Sequence, residues 1–287
     1  MKHILITGVS SGIGYTTAKL FLEKGFFVFG SVRKQKDADE LQKELGGNFL
    51  PLIFDVVNEA AIKQAVKIVE GKLGEGVGLE CLVNNAGVSV NGPLAYISIE
   101  EFSNQLDINV LGVLRVTQAF LPLLGFNNEL PKGRIVNISS GSGRVTRPFM
   151  APYSASKYAV EALSDGFRRE LLDFGIEVTV IEPGPIKSEI WSKAKADAET
   201  QVNKYKDTPY EKIYDHMDKA VQGMEGIALD ASKVSNLIYG IVAGEKKKTR
   251  YLVAPKKWLF WLAIHVFPDK FLDKMFQKQF KKLVEEQ

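Results

Sequence analysis

A tyrosine and a lysine stand four residues apart in the stretch APYSASK, which covers residues 151–157. The run that follows, YSASKYAVEALSDGFRREL (153–171), has the apolar spacing of an amphipathic helix. Side chains at positions i and i+4 share a helix face, so the phenol of Tyr153 and the ammonium of Lys157 can point into one cavity. Taken alone, the pair is better explained by a packed ring beside a lysine that reaches water.

Proton exchange is the chemistry that such a pair can perform. A free tyrosine, with a pKa of about 10, is a poor base near neutral pH. A neighbouring ammonium stabilises the phenolate, and each pKa unit is worth about 1.4 kcal/mol, so a drop of a few units brings the phenol near working pH. A serine hydroxyl nearby can orient a carbonyl oxygen and share its developing charge.

Apolar runs of strand length alternate with helical patterns along the chain. Near-continuous apolar runs indicate strands buried on both faces of a parallel sheet, and the stretches between them indicate its covering helices. The sequence therefore predicts an α/β protein with a doubly wound parallel sheet of about seven strands. The runs are HILITG (3–8), FFVFGSV (26–32), FLPLIFDV (49–56), LECLVNNAG (79–87), GRIVNISS (133–140), IEVTVIEPG (176–184) and RYLVA (250–254).

No linker or internal repeat divides this pattern, so residues 1–254 are predicted to form one domain. Residues 189–230, from Glu189 to Asp230, are polar and helical in pattern, and they interrupt the last strand–helix unit. They are predicted to form a helical insertion over one end of the sheet, because a connection of this length is more often functional than idle. Residues 255–287 follow as a C-terminal extension.

The first predicted strand runs into TGVSSGIG, residues 7–14, and then into a helix. A strand, a glycine turn and a helix N-terminus present free backbone N–H groups and a positive dipole end to a phosphate. Glycine is needed where the turn is tight and a pyrophosphate comes close. The spacing is GxxxGxG rather than GxGxxG, but its position after the first strand predicts a dinucleotide cofactor.

The end of the second strand predicts which dinucleotide binds. A carboxylate there would bind the free 2′-hydroxyl of the adenosine ribose and repel a 2′-phosphate. The strand ends instead in Arg33 and Lys34, with no acid before Asp37, and two cations suit a 2′-phosphate. We therefore expect NADP(H) over NAD(H), with a solvated basic loop as the alternative. Asp55, expected to end the third strand, can accept from the adenine amino group.

Composition and charge narrow the classes of partner. The net charge of +3 is too small to imply a nucleic-acid partner, and three scattered histidines with one cysteine predict no catalytic metal. The single Cys81 allows no intrachain disulfide, and it is expected to be a buried strand thiol. The start, MKHILITG, has neither the length nor the cleavage site of a signal peptide, so a cytoplasmic protein is expected.

Six motifs occur in a fixed order: TGVSSGIG (7–14), NNAG (84–87), Asn109, Ser140, YSASK (153–157) and Pro183-Gly184. In order and spacing they resemble the short-chain dehydrogenases/reductases, and the layout is most similar to the hydroxysteroid and retinol dehydrogenase-like branch. The resemblance is strong over residues 1–190 and weaker beyond. It implies a Rossmann-type fold, an NAD(P)-dependent oxidoreductase, and a catalytic role for the Tyr153–Lys157 pair.

The resemblance implies a role for each member of this catalytic group. Tyr153 is expected to be the general acid in reduction and the general base in oxidation. Lys157 is expected to hold the nicotinamide ribose and to lower the pKa of the phenol. Ser140 is expected to bind the substrate oxygen, and Asn109 to support a water-linked proton path behind Lys157.

The same resemblance implies a cofactor-binding surface along the chain. Ser188 stands where the family often has threonine, and it keeps the hydroxyl. The expected cofactor contacts are Thr7, Gly8, Ser10, Ser11, Gly12, Ile13, Gly14, Arg33, Lys34, Asp55, Val56, Asn84, Ala86, Gly87, Tyr153, Lys157, Pro183, Gly184, Ile186 and Ser188.

The loop after Ser140, GSGRVTRPFMAP (141–152), mixes apolar and basic residues. Its apolar residues can line a substrate pocket and its arginines, Arg144 and Arg147, can meet an anionic group; packing against the insertion is the alternative. The branch resemblance implies a lipophilic alcohol, ketone or aldehyde as substrate. The expected substrate residues are Ser140, Ser142, Val145, Phe149 and Tyr153, with Met150 beside them and Ser139 or Ser142 as alternatives to Ser140.

The C-terminal extension contains the run WLFWLAIHVF (258–267), which is far shorter than the ~20 residues that span a bilayer. A second helical pattern follows Pro268, and residues 255–287 hold seven lysines and four acids. Such a segment can pack over the substrate cleft, form a subunit interface or lie on a membrane surface. The family also implies a homodimer or homotetramer built on the helix that begins near Tyr153.

Three alternatives to an NADP(H)-dependent enzyme stay open on sequence alone. One is an NAD(H)-dependent alcohol dehydrogenase of the same family. Another is a cofactor-binding regulator without turnover. The third is a membrane-surface scaffold, which rests only on residues 255–287. Intact Asn109, Ser140, Tyr153 and Lys157 argue against the regulator, because a sensor could lose the tyrosine without penalty.

Overall fold

A computed structural model describes residues 1–187, 204–214, 223 and 225–285. Seven strands in these residues form one parallel sheet in the order β3-β2-β1-β4-β5-β6-β7. The strands are β1 His3–Ile6, β2 Phe27–Val32, β3 Phe49–Ile53, β4 Cys81–Asn84, β5 Arg134–Ile138, β6 Glu177–Pro183 and β7 Arg250–Val253. All seven predicted strands and the doubly wound Rossmann-type fold are thus confirmed.

Helices cover both faces of the sheet. A π-helical turn, Asp107–Leu111, joins α4 to α5, and short 3-10 turns follow at Leu121–Leu124, Gly141–Gly143 and Leu172–Phe174. The α-helices are α1 Gly12–Glu23, α2 Gln35–Leu45, α3 Glu59–Leu73, α4 Ile99–Leu106, α5 Gly112–Phe120, α6 Ala151–Glu170, α7 Glu211–Tyr214, α8 Ser232–Val242, α9 Lys257–His265 and α10 Asp269–Glu285.

The strands are apolar on both sides because each face of the sheet has its own core. In β1, Ile4 and Ile6 pack with the core under α1 and α8, whereas Leu5 packs with the core under α3 and α5. Each of these side chains is fully buried. Period-2 alternation therefore disappears, and a continuous apolar run results.

Cys81 lies in β4 and is fully buried, as the sequence predicts. Burial raises the pKa of its thiol far above the ordinary value. A thiol held in this state is a poor nucleophile, so Cys81 fills core volume and takes no part in chemistry.

By length and composition, one helical stretch of the described chain, Ile99–Leu124, could cross a membrane. The core helices of soluble proteins pass the same test. Here Val116 and Phe120 of this stretch are fully buried in the core beneath the sheet. The stretch therefore has a packing role in this fold, which accounts for its apolar composition.

Candidate active site

The strand order reverses between β1 and β4, and the loops at the carboxyl ends of these two strands flank that point. In open α/β sheets, ligands bind in the crevice formed there. The loop after β1 is the glycine loop, and the loop after β4 begins with Asn85. The predicted cofactor residues of these two loops therefore lie at the edge of the sheet where a dinucleotide is expected to bind.

The glycine loop needs its glycines for close backbone approach. Gly8 has φ +71°, and a Cβ there would lie 3.0 Å from the Ala86 backbone. A Cβ at Gly14 would lie against Gly8 O and 2.6 Å from Asn85 Nδ2. Larger residues at either position would therefore displace the loop or the start of α1.

Helix α1 begins at Gly12 with an open N-terminus. Its N-cap, Ser11, makes no side-chain capping hydrogen bond, and the first turn carries no acidic residue. A helix start usually uses a cap or an acid to satisfy its free N–H groups. The uncapped N–H groups and the positive dipole end fit the pyrophosphate of a dinucleotide.

Arg33 is the first residue after β2, and Lys34 is the N-cap of α2. Both side chains are exposed, and neither has an ion-pair partner within the described ranges. Their guanidinium and ammonium groups are thus available to a 2′-phosphate at the adenosine end of the crevice. Direct contact with a cofactor stays a prediction.

Asp55 lies two residues beyond the end of β3, so the expectation that it ends the strand is wrong. The strand stops at Ile53, and the Asp55 carboxylate accepts a hydrogen bond from Val57 N at 3.3 Å. Val56 is buried, and its side chain approaches Gly112 at the start of α5. A cofactor contact by Val56 would therefore involve its backbone.

Asn84 belongs to a buried polar network behind the crevice. Its Nδ2 donates to Thr117 Oγ1 at 2.9 Å and to Asn137 Oδ1 at 2.8 Å. Asn137 in turn donates to Ser164 Oγ at 2.8 Å, which ties β4, β5, α5 and α6 together. The side chain of Asn84 is thus structural, and its predicted cofactor contact would have to come from its backbone.

Tyr153 and Lys157 lie in the first two turns of α6, as predicted, and Lys157 is almost fully buried. Lys157 Nζ donates to Ile138 O at 2.8 Å and lies 5.7 Å from the centroid of the Tyr153 ring. Burial lowers the pKa of Lys157 to about 8, while the charge of Glu161 raises it. An ammonium beside a phenol at the carboxyl end of β5 is the arrangement that proton exchange requires.

The pKa of Tyr153 is raised, because burial disfavours the phenolate more than a hydrogen bond with Ser140 favours it. The sequence led us to expect a pKa lowered by Lys157, and the structure does not show this. Lys157 directs its ammonium to the Ile138 carbonyl at 2.8 Å. A phenol in this state keeps its proton at neutral pH.

Ser140 follows β5 and is the N-cap of the Gly141–Gly143 turn. Its Oγ accepts from Ser142 N at 3.1 Å and lies 3.4 Å from Pro183 O. Ser139, the alternative, has a buried hydroxyl without a hydrogen-bond partner in the described chain, and a Cβ at Gly143 would lie 2.8 Å from it. The hydroxyl that is hydrogen-bonded to Tyr153 is that of Ser140.

Asn109 lies in the π-helical turn and is almost fully buried. Its Oδ1 accepts from Val88 N at 2.9 Å, and its Nδ2 donates to Val88 O at 2.9 Å and to Ser156 Oγ at 3.0 Å. Ser156 Oγ donates to Tyr153 O at 2.7 Å. Asn109 therefore joins the loop after β4 to the first turn of α6; its predicted proton path stays a prediction.

The loop after β6 closes the other side of the crevice. Gly184 N donates to Val253 O at 2.9 Å, and a Cβ at Gly184 would lie 2.9 Å from Ala254 Cβ. Ile186 is buried and forms a β-bridge with Leu229. Ser188 lies outside the described residues, as do residues 189–203 of the predicted insertion.

An aromatic cluster stands at the expected substrate end. Phe149 has φ 65°, which is unusual for a large residue, and its ring meets Tyr210 at 5.6 Å and Tyr214 at 5.8 Å in edge contacts. These tyrosines belong to residues 204–214 of the insertion. Phe149 thus packs against the insertion. Val145 and Met150 are half-buried.

Comparison with known proteins decides the family. A family model described as short chain dehydrogenase matches residues 2–234. The chain is 45% identical to the NADPH-dependent 3-dehydrocapnine reductase of Ornithobacterium rhinotracheale over 287 residues, with 100% of each chain covered. It is 33% identical to retinol dehydrogenase 16 of Mus musculus, over 95% of this chain and 86% of that protein.

The chain belongs to the short-chain dehydrogenase family. It is an NAD(P)-dependent oxidoreductase, as the sequence predicts. The fold agrees: a short-chain dehydrogenase from Streptomyces avermitilis superposes with a TM-score of 0.75 at 25% identity, covering 98% of this chain and 96% of that one.

Sequence reasoning missed several residues that shape the site of this dehydrogenase. Asn85 Nδ2 donates to Thr7 O at 2.9 Å and to Gly8 O at 3.0 Å, and the Thr7 hydroxyl accepts from the backbone N–H groups of Asn85 and Ala86. Ser31 accepts from Gly8 N. Two sequence features pointed to these residues: the NNAG motif contains Asn85, and the second apolar run, FFVFGSV, contains Ser31. Their contacts could not be predicted, because they join segments that are far apart in sequence.

A buried charge network behind α6 was also missed. Arg250 Nε lies 2.8 Å from Glu161 and 3.1 Å from Glu182, and Arg144 NH1 lies 3.1 Å from Glu182. The two carboxylates are nearly inaccessible to solvent. Only the position of Glu161, one turn after Lys157, was visible in the sequence. The network links α6, which carries Tyr153 and Lys157, to β6, to β7 and to the loop after Ser140.

Proposed function

We propose that this dehydrogenase interconverts a lipophilic alcohol and its ketone or aldehyde, with Tyr153 as general acid and base, and that it works in the direction of reduction. The observation that carries the proposal is the arrangement of two buried residues, Ser140 and Lys157, around the half-buried Tyr153 beside the crevice. The raised pKa of Tyr153 keeps the phenol protonated at neutral pH, so a proton is present for transfer to a carbonyl oxygen. The direction of reduction is supported by the relative that is named as a reductase.

NADP(H) is favoured over NAD(H) as the cofactor. Arg33 and Lys34 are exposed at the end of β2 with no acidic residue beside them, and a relative at 45% identity is named as NADPH-dependent. A carboxylate at this position would exclude the 2′-phosphate, and arginine binds it in bidentate fashion. The uncapped start of α1 would bind the pyrophosphate.

The bound nicotinamide supplies or accepts the hydride. Ser140 would hold the substrate oxygen by a hydrogen bond, and Tyr153 would donate its proton to the same oxygen as the hydride arrives. Lys157 would hold the nicotinamide ribose and stabilise the phenolate left behind. Asn109 would hold the loop after β4 against the start of α6, so that Tyr153 and Lys157 keep their positions.

A lipophilic substrate is supported by the aromatic surface that closes the substrate end. Phe149, Tyr210 and Tyr214 form this surface, and Val145 and Met150, in the same loop as Phe149, are half-buried. The relatives include proteins named as a 3-dehydrocapnine reductase and as retinol dehydrogenases. Ser142 and Val145, which follow Ser140, would contact the substrate next to the reacting carbon.

A homodimer or homotetramer in the cytoplasm is the assembly that we propose. The outer face of α6 supports it, because Ala155, Tyr158 and Ala162 form an exposed stripe of small and aromatic side chains. A stripe of this kind allows close packing against a second copy of the helix. The expected partner in catalysis is a small alcohol or carbonyl compound, and no nucleic acid is expected.

Calorimetric titration with NADPH and, separately, with NADH tests the cofactor half of the proposal. We expect tight NADPH binding and weak NADH binding. Preference for NADH would favour alcohol oxidation with NAD, and binding of neither would remove the enzymatic interpretation.

The variant Tyr153→Phe tests the second half of the proposal, the role of Tyr153 in proton transfer. The variant should bind NADPH as well as the parent does and lose turnover by a factor of about 10² to 10⁴ on any substrate found in a screen of lipophilic ketones and aldehydes. Retained turnover would refute the role of Tyr153 as proton donor. Preserved NADPH affinity serves as the control for folding.

A further inference from the structure

Helix α9, with the sequence KWLFWLAIH, contains no buried residue although six of its nine residues are large and apolar. Trp258 is 62% exposed and Trp261 is 56% exposed. Leu259 and Val266, the residue after the helix, are also exposed, at 40% and 54%. A soluble protein rarely leaves two tryptophans and two aliphatic residues together in water, so this face requires an occupant.

Helix α10 continues the exposed apolar face. Phe271 and Met275, four residues apart, are 49% and 43% exposed, whereas Leu272 and Phe276 are turned inward and half-buried. Exposed lysines flank both helices. They are Lys256, Lys257, Lys270, Lys274, Lys278 and Lys281, and they outnumber the two exposed acids in the described part of the two helices, Asp269 and Asp273. Aromatic and aliphatic side chains in a setting of lysines are typical of helices that lie in the interface of an anionic bilayer.

The inner side of the same two helices covers the catalytic end of the domain. A Cβ at Gly141, the residue after Ser140, would lie 2.7 Å from Phe260 Cε1, so the Phe260 ring of α9 rests directly on that turn. Helix α10 packs against α7, whose Tyr214 meets Phe149. One surface of the extension therefore faces the active site, and the opposite surface faces outward.

We propose that α9 and α10 form a roof over the active site that lies on an anionic lipid bilayer, with Trp258, Trp261, Phe271 and Met275 in the headgroup region. The positive charge of the flanking lysines favours an anionic bilayer over a second copy of the chain as the partner of this face. A two-fold contact through this face would bring the lysines of both copies together, whereas anionic headgroups attract them.

The roof gives a route for the substrate, and this step rests on the proposed function. A lipophilic ketone dissolved in the bilayer would reach Ser140 past Phe260 without entering bulk water. The polar cofactor would enter at the carboxyl ends of β1 and β2, where Ser10 and Arg33 are exposed.

Vesicle co-sedimentation of the full chain tests membrane binding independently of any activity. We expect binding to vesicles that contain phosphatidylglycerol, weaker binding to pure phosphatidylcholine vesicles, and loss of binding at high salt. The double variant W258S/W261S should bind the anionic vesicles at least tenfold more weakly. The matched control is Ile68→Ser, which removes a side chain that is 45% exposed on α3, away from the roof.

NADPH titration of the same variants separates this proposal from the proposed function. Unchanged NADPH affinity in W258S/W261S with lost vesicle binding supports the roof. Equal vesicle binding by parent and double variant overturns it, as does the absence of binding to anionic vesicles at low salt. A smaller particle by light scattering in W258S/W261S, without vesicle binding by the parent, would assign the face to a subunit interface and also overturns it.

Discussion

Two features of its surroundings move the pKa of Lys157 in opposite directions. Burial lowers the pKa of its ammonium to about 8, and the carboxylate of Glu161, one turn further along α6, raises it. Glu161 is itself held by Arg250 at 2.8 Å. The charge of Lys157 near neutral pH therefore depends on a residue that is not expected to touch cofactor or substrate.

Glu161→Gln should move the alkaline limb of the pH–rate profile to lower pH. Without the carboxylate, burial lowers the pKa of Lys157 further, and more of the lysine is neutral at pH 8. Because each pKa unit corresponds to about a tenfold change in the charged-to-neutral ratio, we expect a several-fold loss of kcat/KM at pH 8 and little loss at pH 6.5. Glu170→Gln, exposed on the same helix, should leave the profile unchanged.

Arg33→Ala should weaken NADPH binding by roughly 10- to 100-fold, because a charge-assisted contact is worth about 1.5–3 kcal/mol. NADH lacks the 2′-phosphate, so its affinity should change little. Lys36→Ala is the matched control, since Lys36 is an exposed cation in α2 that pairs with Glu40. Equal losses of NADPH and NADH affinity in Arg33→Ala, measured by calorimetry, would refute the assignment.

At the scale of elements, the carboxyl ends of β1 and β4 are held together by contacts among backbone groups and two short side chains, Thr7 and Asn85. The start of α1 is fixed against the same point through Gly14. The contacts that shape the cofactor crevice are thus the same contacts that join β1, β4 and α1. A methyl group added at Gly14 would therefore affect both the stability of the fold and the binding of the cofactor.

Gly14→Ala should lower the free energy of unfolding by about 1–3 kcal/mol and reduce NADPH binding, because the new Cβ would overlap Gly8 O. Gly71→Ala is the matched control: Gly71 lies in α3, is exposed, and has nothing within 4 Å of its Cβ position. That variant should gain roughly 0.5–1 kcal/mol from helix propensity. Urea unfolding of both proteins measures the difference, and equal stability of the two would contradict the close approach at Gly14.

The elements were predictable from local patterns, and their contacts were not. All seven apolar runs contain a strand, yet β3 ends at Ile53 and leaves Asp55 in a turn. Helix α6, predicted from residue 153, begins at Ala151 because Pro152 fits the first turn of a helix. Three sets of contacts join residues that are remote in sequence, and no periodicity reveals them. They are the hydrogen bonds of Asn85 with the glycine loop, the charge network of Glu161, Arg250 and Glu182, and the contact of Phe260 with Gly141.

At the scale of the whole molecule, the exposed stripe on α6 is the place where subunits are expected to meet. Ala162→Glu introduces a charge into this stripe, and a buried unpaired carboxylate is strongly disfavoured. We expect light scattering to show a smaller particle than the parent. Ala60→Glu, on the exposed first turn of α3, should leave the particle unchanged. An unchanged mass for Ala162→Glu would show that subunits, if present, meet elsewhere.

The enclosed position of Cys81 has a practical consequence for spectroscopy. It is the only cysteine in the 287 residues, and in the folded chain it is fully buried with a raised pKa. A thiol reagent should leave the native protein unlabelled, so a cysteine placed at Met275 would carry a dye or spin label at one site. In the parent protein, slow labelling of Cys81 would in turn report how often the central sheet opens to water.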